Sequence, residues 1–208
     1  MGTIGLSRTN RLFWLGRYLE RVYTTLKATR GMFDAETDGA EADYRDYCRR
    51  MGVACRYENT AAFIRSYYFD TENADSVAAS LAHAYDNAIV LRETLSSDTL
   101  AYVQMAVTAM ELAAESSGPA IELQWVLDDI MAFRGSCEEN IEEEINRNII
   151  KSGASLERVD IFLRLGYPQE QCLKEVRHLA SRLKKAQLAI NENNMQFLLN
   201  SLAGSPEN

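Results

Sequence analysis

Apolar residues recur at steps of three and four along most of the chain. From Ser7 to Gly31 they fall at Leu12, Leu15, Leu19, Val22 and Leu26, a single stripe on a long helix, with Ser7 as its cap and Gly31 as its stop. The acidic, small-residue stretch from Asp34 to Asp43 reads as a loop. Short helices follow over Ala42–Met51 and Glu58–Phe69, then a long one from Asp75 to Leu95. Ser97 caps the next, which runs to Ser116, where Ser116-Ser117-Gly118-Pro119 is the clearest punctuation in the chain. Helical spacing resumes to Arg134, pauses at Gly135 and continues from Ser136 to Leu165. Gly166 and Pro168 separate it from a helix reaching Ile190, and a last short helix covers Gln196 to Leu202 before a frayed tail at 204–208. No strand-like alternation appears. The pattern predicts an all-α, multi-helix bundle, one domain over residues 1–208.

Two of the long helices carry the same frame. Gly16-Arg17-Tyr18-Leu19-Glu20-Arg21-Val22 and Gly153-Ala154-Ser155-Leu156-Glu157-Arg158-Val159 share G-x-x-L-E-R-V, with Leu26 and Leu163 at the same offset beyond. On a helical wheel the first copy places Leu12, Leu15, Val22, Tyr23 and Leu26 within about 60° of Leu19. Phe13, Arg17, Glu20, Arg21 and Thr24 lie opposite, with Trp14 at the edge. Aromatics mixed with charges do not make an ordinary solvated face, so this helix is expected to be covered on both sides. In the second copy Leu156, Val159 and Leu163 form the expected stripe, with Glu157 and Arg158 on the far side. The pseudo-equivalent helices are expected to cross at Gly16 and Gly153, pairing Glu20 with Arg158 and Glu157 with Arg21, because buried charges must be partnered.

Composition narrows the function classes. The chain of 208 residues is 47% apolar and 25% charged, with three Pro and eleven Gly, enough for one substantial core. Its net charge of −8 disfavours nucleic-acid binding, which needs clustered cations. No spanning helix and no secretory signal are legible, and no membrane association is expected. The four cysteines (Cys48, Cys55, Cys137, Cys172) form no CxxC pair and read as reduced, mostly buried thiols of a cytoplasmic protein.

Leu6-Ser7-Arg8, then Leu12-Phe13-Trp14-Leu15-Gly16-Arg17-Tyr18 and Glu20-Arg21, resemble the N-terminal signature of the alpha-E family, an all-helical domain named for its Glu-Arg motif. Asn87 to Ser96, with Arg92, Glu93 and Ser96, is similar to the family's mid-chain segment, and Gly153 to Asp160 to its second G-R-x-x-E-R-A-D element. Ala154 stands where the family tends to have Arg. The resemblance implies a peptide-ligation or peptide-modification system, because members accompany circularly permuted ATP-grasp proteins. It implies such a ligase, or a peptide or small acidic substrate, as partner.

Other constellations are weaker. Glu175-Val176-Arg177-His178 is an ExxH, but with His83 as the only other histidine a di-iron set cannot be completed. The run from Glu138 to Glu144 reads as a solvated helix face near Arg147 rather than a cation site. Tyr44, Tyr47, Tyr57, Tyr67 and Tyr68 lie among Arg45, Arg49, Arg50, Arg56 and Arg65, either core packing with snorkelling arginines or a docking face. No phosphate-cradling glycine loop and no nucleophile elbow occurs, and no cofactor or metal is expected.

The candidate binding residues are therefore Arg8, Trp14, Arg17, Glu20, Arg21, Arg92, Glu93, Ser96, Glu157 and Arg158. The leading expectation is a non-catalytic helical module, its guanidinium groups holding an acidic peptide, a substrate group or the ligase. One alternative is an enzyme of the same pathway using Glu20 or Glu157 as general base. The other is a bundle whose Glu-Arg network only locks the fold.

Overall fold

The computed structural model describes residues 5–40, 42–189 and 191–203, apart from the side chains at 197, 198, 201 and 203. The first four residues and the predicted frayed tail at 204–208 lie outside them. The described residues form helices and connecting turns, with no strand among them. In chain order the helices are α1 (Leu6–Ala28), α2 (Arg30–Thr37), α3 (Tyr44–Met51), α4 (Thr60–Phe69), α5 (Val77–Val90), α6 (Ser97–Glu115), α7 (Ala120–Asn140), α8 (Glu144–Leu165), α9 (Gln169–Lys185) and α10 (Glu192–Ala203).

α1 is the centre of the bundle. It packs on α8, α5 and α7, while α6 pairs with α7 and α9 packs on α8. The predicted stripe of Leu12, Leu15, Leu19, Val22 and Leu26 is buried, and so are Glu20, Thr24 and Thr25 of the opposite face, while Trp14, Arg17, Tyr18 and Arg21 are half-buried. A Cβ at Gly16 would run into the backbone carbonyl of Ile150, and one at Gly153 into that of Phe13. Each helix thus presents its glycine to the other's main chain, and the crossing closes to a separation that no larger residue permits.

Several boundaries differ from the sequence pattern for identifiable reasons. α1 starts after Gly5 and ends at Thr29, whose hydroxyl donates to the Thr25 carbonyl at 2.7 Å, so neither Ser7 nor Gly31 bounds it. α2 occupies the start of the expected loop. Ser96, not Ser97, caps α6, its Oγ accepting the Thr99 N–H at 3.1 Å. Helix α7 runs through Gly135, where a single glycine costs about 1 kcal/mol. The break comes instead at Ile141 to Glu143, where carboxylates gather at the helix C-terminus that repels them. There Arg147 donates to the freed carbonyls of Ile141 and Glu142.

The expected stripe of α8 is also corrected. Of that stripe Val159 is buried, but Leu163 is exposed and Leu156 half-buried, whereas Ile149, Ile150, Gly153, Glu157 and Ile161 are buried. α8 turns its Glu-bearing side, not its leucines, toward the interior, because α1 claims that side through the glycine contact. The tyrosine-rich segment is core: Tyr44, Tyr47, Tyr67 and Tyr68 are buried, with Tyr44 and Tyr67 stacked on Phe63. Cys48, Cys137 and Cys172 are buried and Cys55 exposed, all four as free thiols. Among the described residues, no helix is long and apolar enough to cross a membrane.

Candidate functional site at the α1–α8 crossing

The glycine contact sets the geometry of the charges beside it. One turn beyond Gly16 and Gly153 come Glu20 and Glu157, both only 1% exposed. At that depth a carboxylate must be fully paired. Arg158 of α8 forks onto Glu20, with Nε 2.8 Å from Oε1 and Nη2 2.7 Å from Oε2. Arg21 of α1 reaches Glu157 in return, its Nε 2.6 Å from Oε1. Both cross-pairs expected from the repeated frame are formed, and each Glu-Arg dipeptide supplies the acid of one pair and the base of the other.

Around this shared core the two ends diverge. Glu157 is completed from α1: Arg17 contacts Oε2 through Nε at 2.8 Å and Nη2 at 2.7 Å. Arg17 lies over Trp14, its Cζ 4.5 Å from the ring centroid, and Arg21 lies 5.9 Å from the Tyr18 ring. Glu20 is completed from elsewhere. Arg134 of α7 donates to Oε2 at 2.8 Å and Thr24 to Oε1 at 2.8 Å. With Arg158, this gives each Glu20 oxygen two donors, its full capacity. Arg158 also extends Nη1 to Glu175 of α9, at 3.2 Å.

Burial works against the charged forms of Arg21 and Arg158, but their carboxylate partners outweigh it. Glu157 raises Arg21 above the ordinary guanidinium value, and Glu20 with Glu175 does the same for Arg158. Arg182 of α9 shows the opposite balance. Burial, then repulsion from Arg158, pulls its pKa below the ordinary value. It donates to the Ser155 hydroxyl and the Lys151 carbonyl, and no ion pair to it is formed among the described residues.

Arg182 borders a cavity of about 380 Å³ that opens at the Glu20 end and is lined from α1, α7, α8 and α9. Its wall carries Arg134, Arg147, Lys151, Arg158 and Arg182 against Glu20 and Glu138. Lys151 is paired with Glu138 at 2.5 Å, and Arg147 is held by main-chain carbonyls. The wall therefore holds more positive than negative charge inside a protein that is acidic overall. Ala154 lies on it at the counterpart of Arg17, and its short side chain leaves this space open.

The structure gathers Trp14, Arg17, Glu20, Arg21, Glu157 and Arg158 at the crossing. It does not bring the other four candidates there. Arg92 and Glu93 are well-exposed surface neighbours 3.4 Å apart. Ser96 is spent as the α6 cap and lines, with Arg8 and Glu93, a different hollow of about 320 Å³. The crossing instead recruits Arg134, Glu175 and Arg182. Glu175 was legible only as part of the ExxH frame, and Arg134 and Arg182 carry no motif.

No curated protein and no solved structure matches the chain. One family model does, over residues 6–205, described as a predicted alpha-helical domain with a conserved ER motif. With Glu20-Arg21 and Glu157-Arg158 exchanging partners across two glycine-apposed helices, the chain belongs to the Alpha-E family.

Proposed function

We propose that the protein is a cytoplasmic, single-domain, non-catalytic binding module of a peptide-ligation or peptide-modification system, taking an acidic group of a peptide, substrate or partner ATP-grasp ligase in the cavity beside Glu20. The observation that carries this reading is Arg182, a half-buried guanidinium on the cavity wall without a carboxylate of its own. A planar guanidinium held there by a hydroxyl and a carbonyl keeps donors for an incoming carboxylate or phosphate. Such an anion would relieve the repulsion between Arg182 and Arg158. The system itself is implied by the family resemblance.

The same geometry speaks against Glu20 as the general base of the enzyme alternative. A general base needs a free lone pair within reach of its proton, and the four lone-pair sites of Glu20 are all occupied. The pure-lock reading is supported at the Glu157 end, where Arg17 and Arg21 close over the carboxylate.

Calorimetric titration with tetraglutamate, and with tetraglutamine as its neutral control, tests the module reading. Tetraglutamate is expected to bind and tetraglutamine not. Arg182→Gln should weaken binding by about tenfold, roughly 1.4 kcal/mol. Arg92→Gln, on the remote surface, should leave it unchanged. Binding that is absent, or indifferent to Arg182→Gln in a protein with unchanged circular dichroism, would sink the reading. So would formation of a ligated peptide by this protein alone in the presence of ATP.

A further inference from the structure

Helices α6 and α7 pack against one another, with α6 also on α5 and α4 and α7 on α1, and among the described residues large apolar side chains remain exposed on their outer faces. α6 buries Val103, Ala106, Met110 and Ala113 on its inner side. A surface helix should be polar on the other side. Here Met105 and Leu112 are 51% and 49% exposed, across the groove Trp125 of α7 is 47% exposed, and Ile121, one turn before it, is 64% exposed. Between the helices runs a groove of about 480 Å³, bordered by Asp128 and Asp129. Large apolar side chains clustered in this way, in place of scattered singly, mark a surface that another element covers.

Along the sequence the charge of this stretch is one-sided, with Arg30 reaching Gln124 at 3.4 Å and Arg134 the Met131 sulfur from outside it. From Ser97 to Phe133 the chain carries Asp98, Glu111, Glu115, Glu122, Asp128 and Asp129, and not one Lys, Arg or His. Asp128 takes a hydrogen bond from Gln124 at 2.8 Å. Burial, then the neighbouring Asp128, raises the Asp129 pKa, as expected for a carboxylate at an apolar edge without a cation. We propose that the α6–α7 groove is a docking site for a cationic amphipathic helix of a partner protein, whose apolar stripe covers Met105, Leu112 and Trp125 while its Lys or Arg residues meet Asp128 and Asp129.

Charge complementarity selects this occupant over the alternatives. An anionic lipid surface would be repelled by the carboxylates. A second copy sets only isolated exposed apolar residues beside its cations, Ile89 and Val90 near Arg92 and Leu163 near Arg164, while the basic helices α3 and α9 bury their apolar faces at Tyr44 and Tyr47, and at Cys172, Val176 and Leu179. The site is independent of the anion cavity, which shares no lining residue with it.

The test is fluorescence anisotropy with labelled synthetic helices about five turns long: a Lys/Leu amphipathic peptide, its Glu/Leu analogue and a Lys/Leu peptide scrambled to remove the stripe. The cationic amphipathic peptide is expected to bind, more weakly as salt is raised. Met105→Lys with Leu112→Lys should weaken it by about tenfold or more, and Asp128→Asn with Asp129→Asn several-fold, flattening the salt dependence. Met105, Leu112 and Asp128 are exposed and Asp129 is half-buried at the groove's edge, and Asp→Asn keeps its shape, so unchanged circular dichroism is expected of both variants. The proposal is overturned if the cationic peptide does not bind, if the acidic or scrambled peptide binds as well, or if neither double variant matters. It is equally overturned if anionic phosphatidylserine vesicles bind this face, or if sedimentation reveals a dimer that Leu112→Lys dissociates.

Discussion

The two ends of the α1–α8 crossing start from the same seven-residue frame and finish differently. At the Glu157 end, the acid is enclosed by two arginines of a single helix, each leaning on an aromatic ring one turn away. At the Glu20 end, the acid is held by α8 and α7, shares Arg158 with α9 and faces a cavity. The divergence traces to one position. Arg17 closes the first end, and its counterpart in the second copy is Ala154, which cannot reach Glu20. One end of a symmetric lock is thereby opened, and what stabilises the fold at one Glu-Arg pair becomes a lined pocket at the other.

The shared element is the glycine contact, and its loss should have the largest effect. Gly16→Val and Gly153→Val both drive a side chain into a backbone carbonyl of the facing helix. Overpacking against side chains costs about 1–3 kcal/mol, and backbone yields less readily. Each substitution should cost at least about 3 kcal/mol in denaturant unfolding, with similar values at the two sites. A large inequality between them would break the premise that the crossing itself is symmetric.

The carboxylates come next, and here the ends should part. Glu157→Gln leaves Arg17 and Arg21, partly buried, without the carboxylate they share; removing one partner of a buried pair costs about 3–5 kcal/mol. Glu20→Gln should cost less, by about 1 kcal/mol, because Arg158 keeps Glu175 and Arg134 borders an open cavity. The reverse order would place the structural lock at the cavity end and remove the basis for distinguishing the two. Double-mutant cycles refine the same point. Glu157 with Arg21 and Glu20 with Arg158 should each show coupling of about 1–3 kcal/mol, the range for residues in one ion-pair network.

The crossing was readable in the sequence because it is written twice. Local repetition exposed Gly16 with Gly153 and the exchanged Glu-Arg partners, since a helix's periodicity specifies which residues share a face. What completes the Glu20 end was not readable. Arg134 follows an apolar run at which a glycine pause was expected, and Arg182 sits in a basic last turn that looks like ordinary dipole compensation. Their roles depend on how α7 and α9 lie on α8, and helix-to-helix placement is set by packing that no local pattern encodes. Arg92, Glu93 and Ser96 misled for a related reason. Their residue types suit an anion site, but the α5–α6 turn holds them at another part of the surface.

Ala154→Arg should have the smallest effect on stability and the most informative one on binding. Position 154 is half-buried on the cavity wall, so a long side chain enters empty space in place of packed core. The new guanidinium would approach Glu20 as Arg17 approaches Glu157, in competition with Arg134 for Oε2. Glu20 is already saturated, so the gain from one more donor is offset by a further unpaired cation, and unfolding should shift by no more than about 1 kcal/mol. Binding separates two explanations of the open end. If the cavity's volume is what admits the acidic group, filling it should abolish tetraglutamate binding although the wall has become more positive. If surplus charge alone attracts the ligand, the same substitution should tighten binding. Loss of affinity with stability intact would show that the asymmetry between the two Glu-Arg ends is a matter of space, created where one copy of the frame carries Ala and the other Arg.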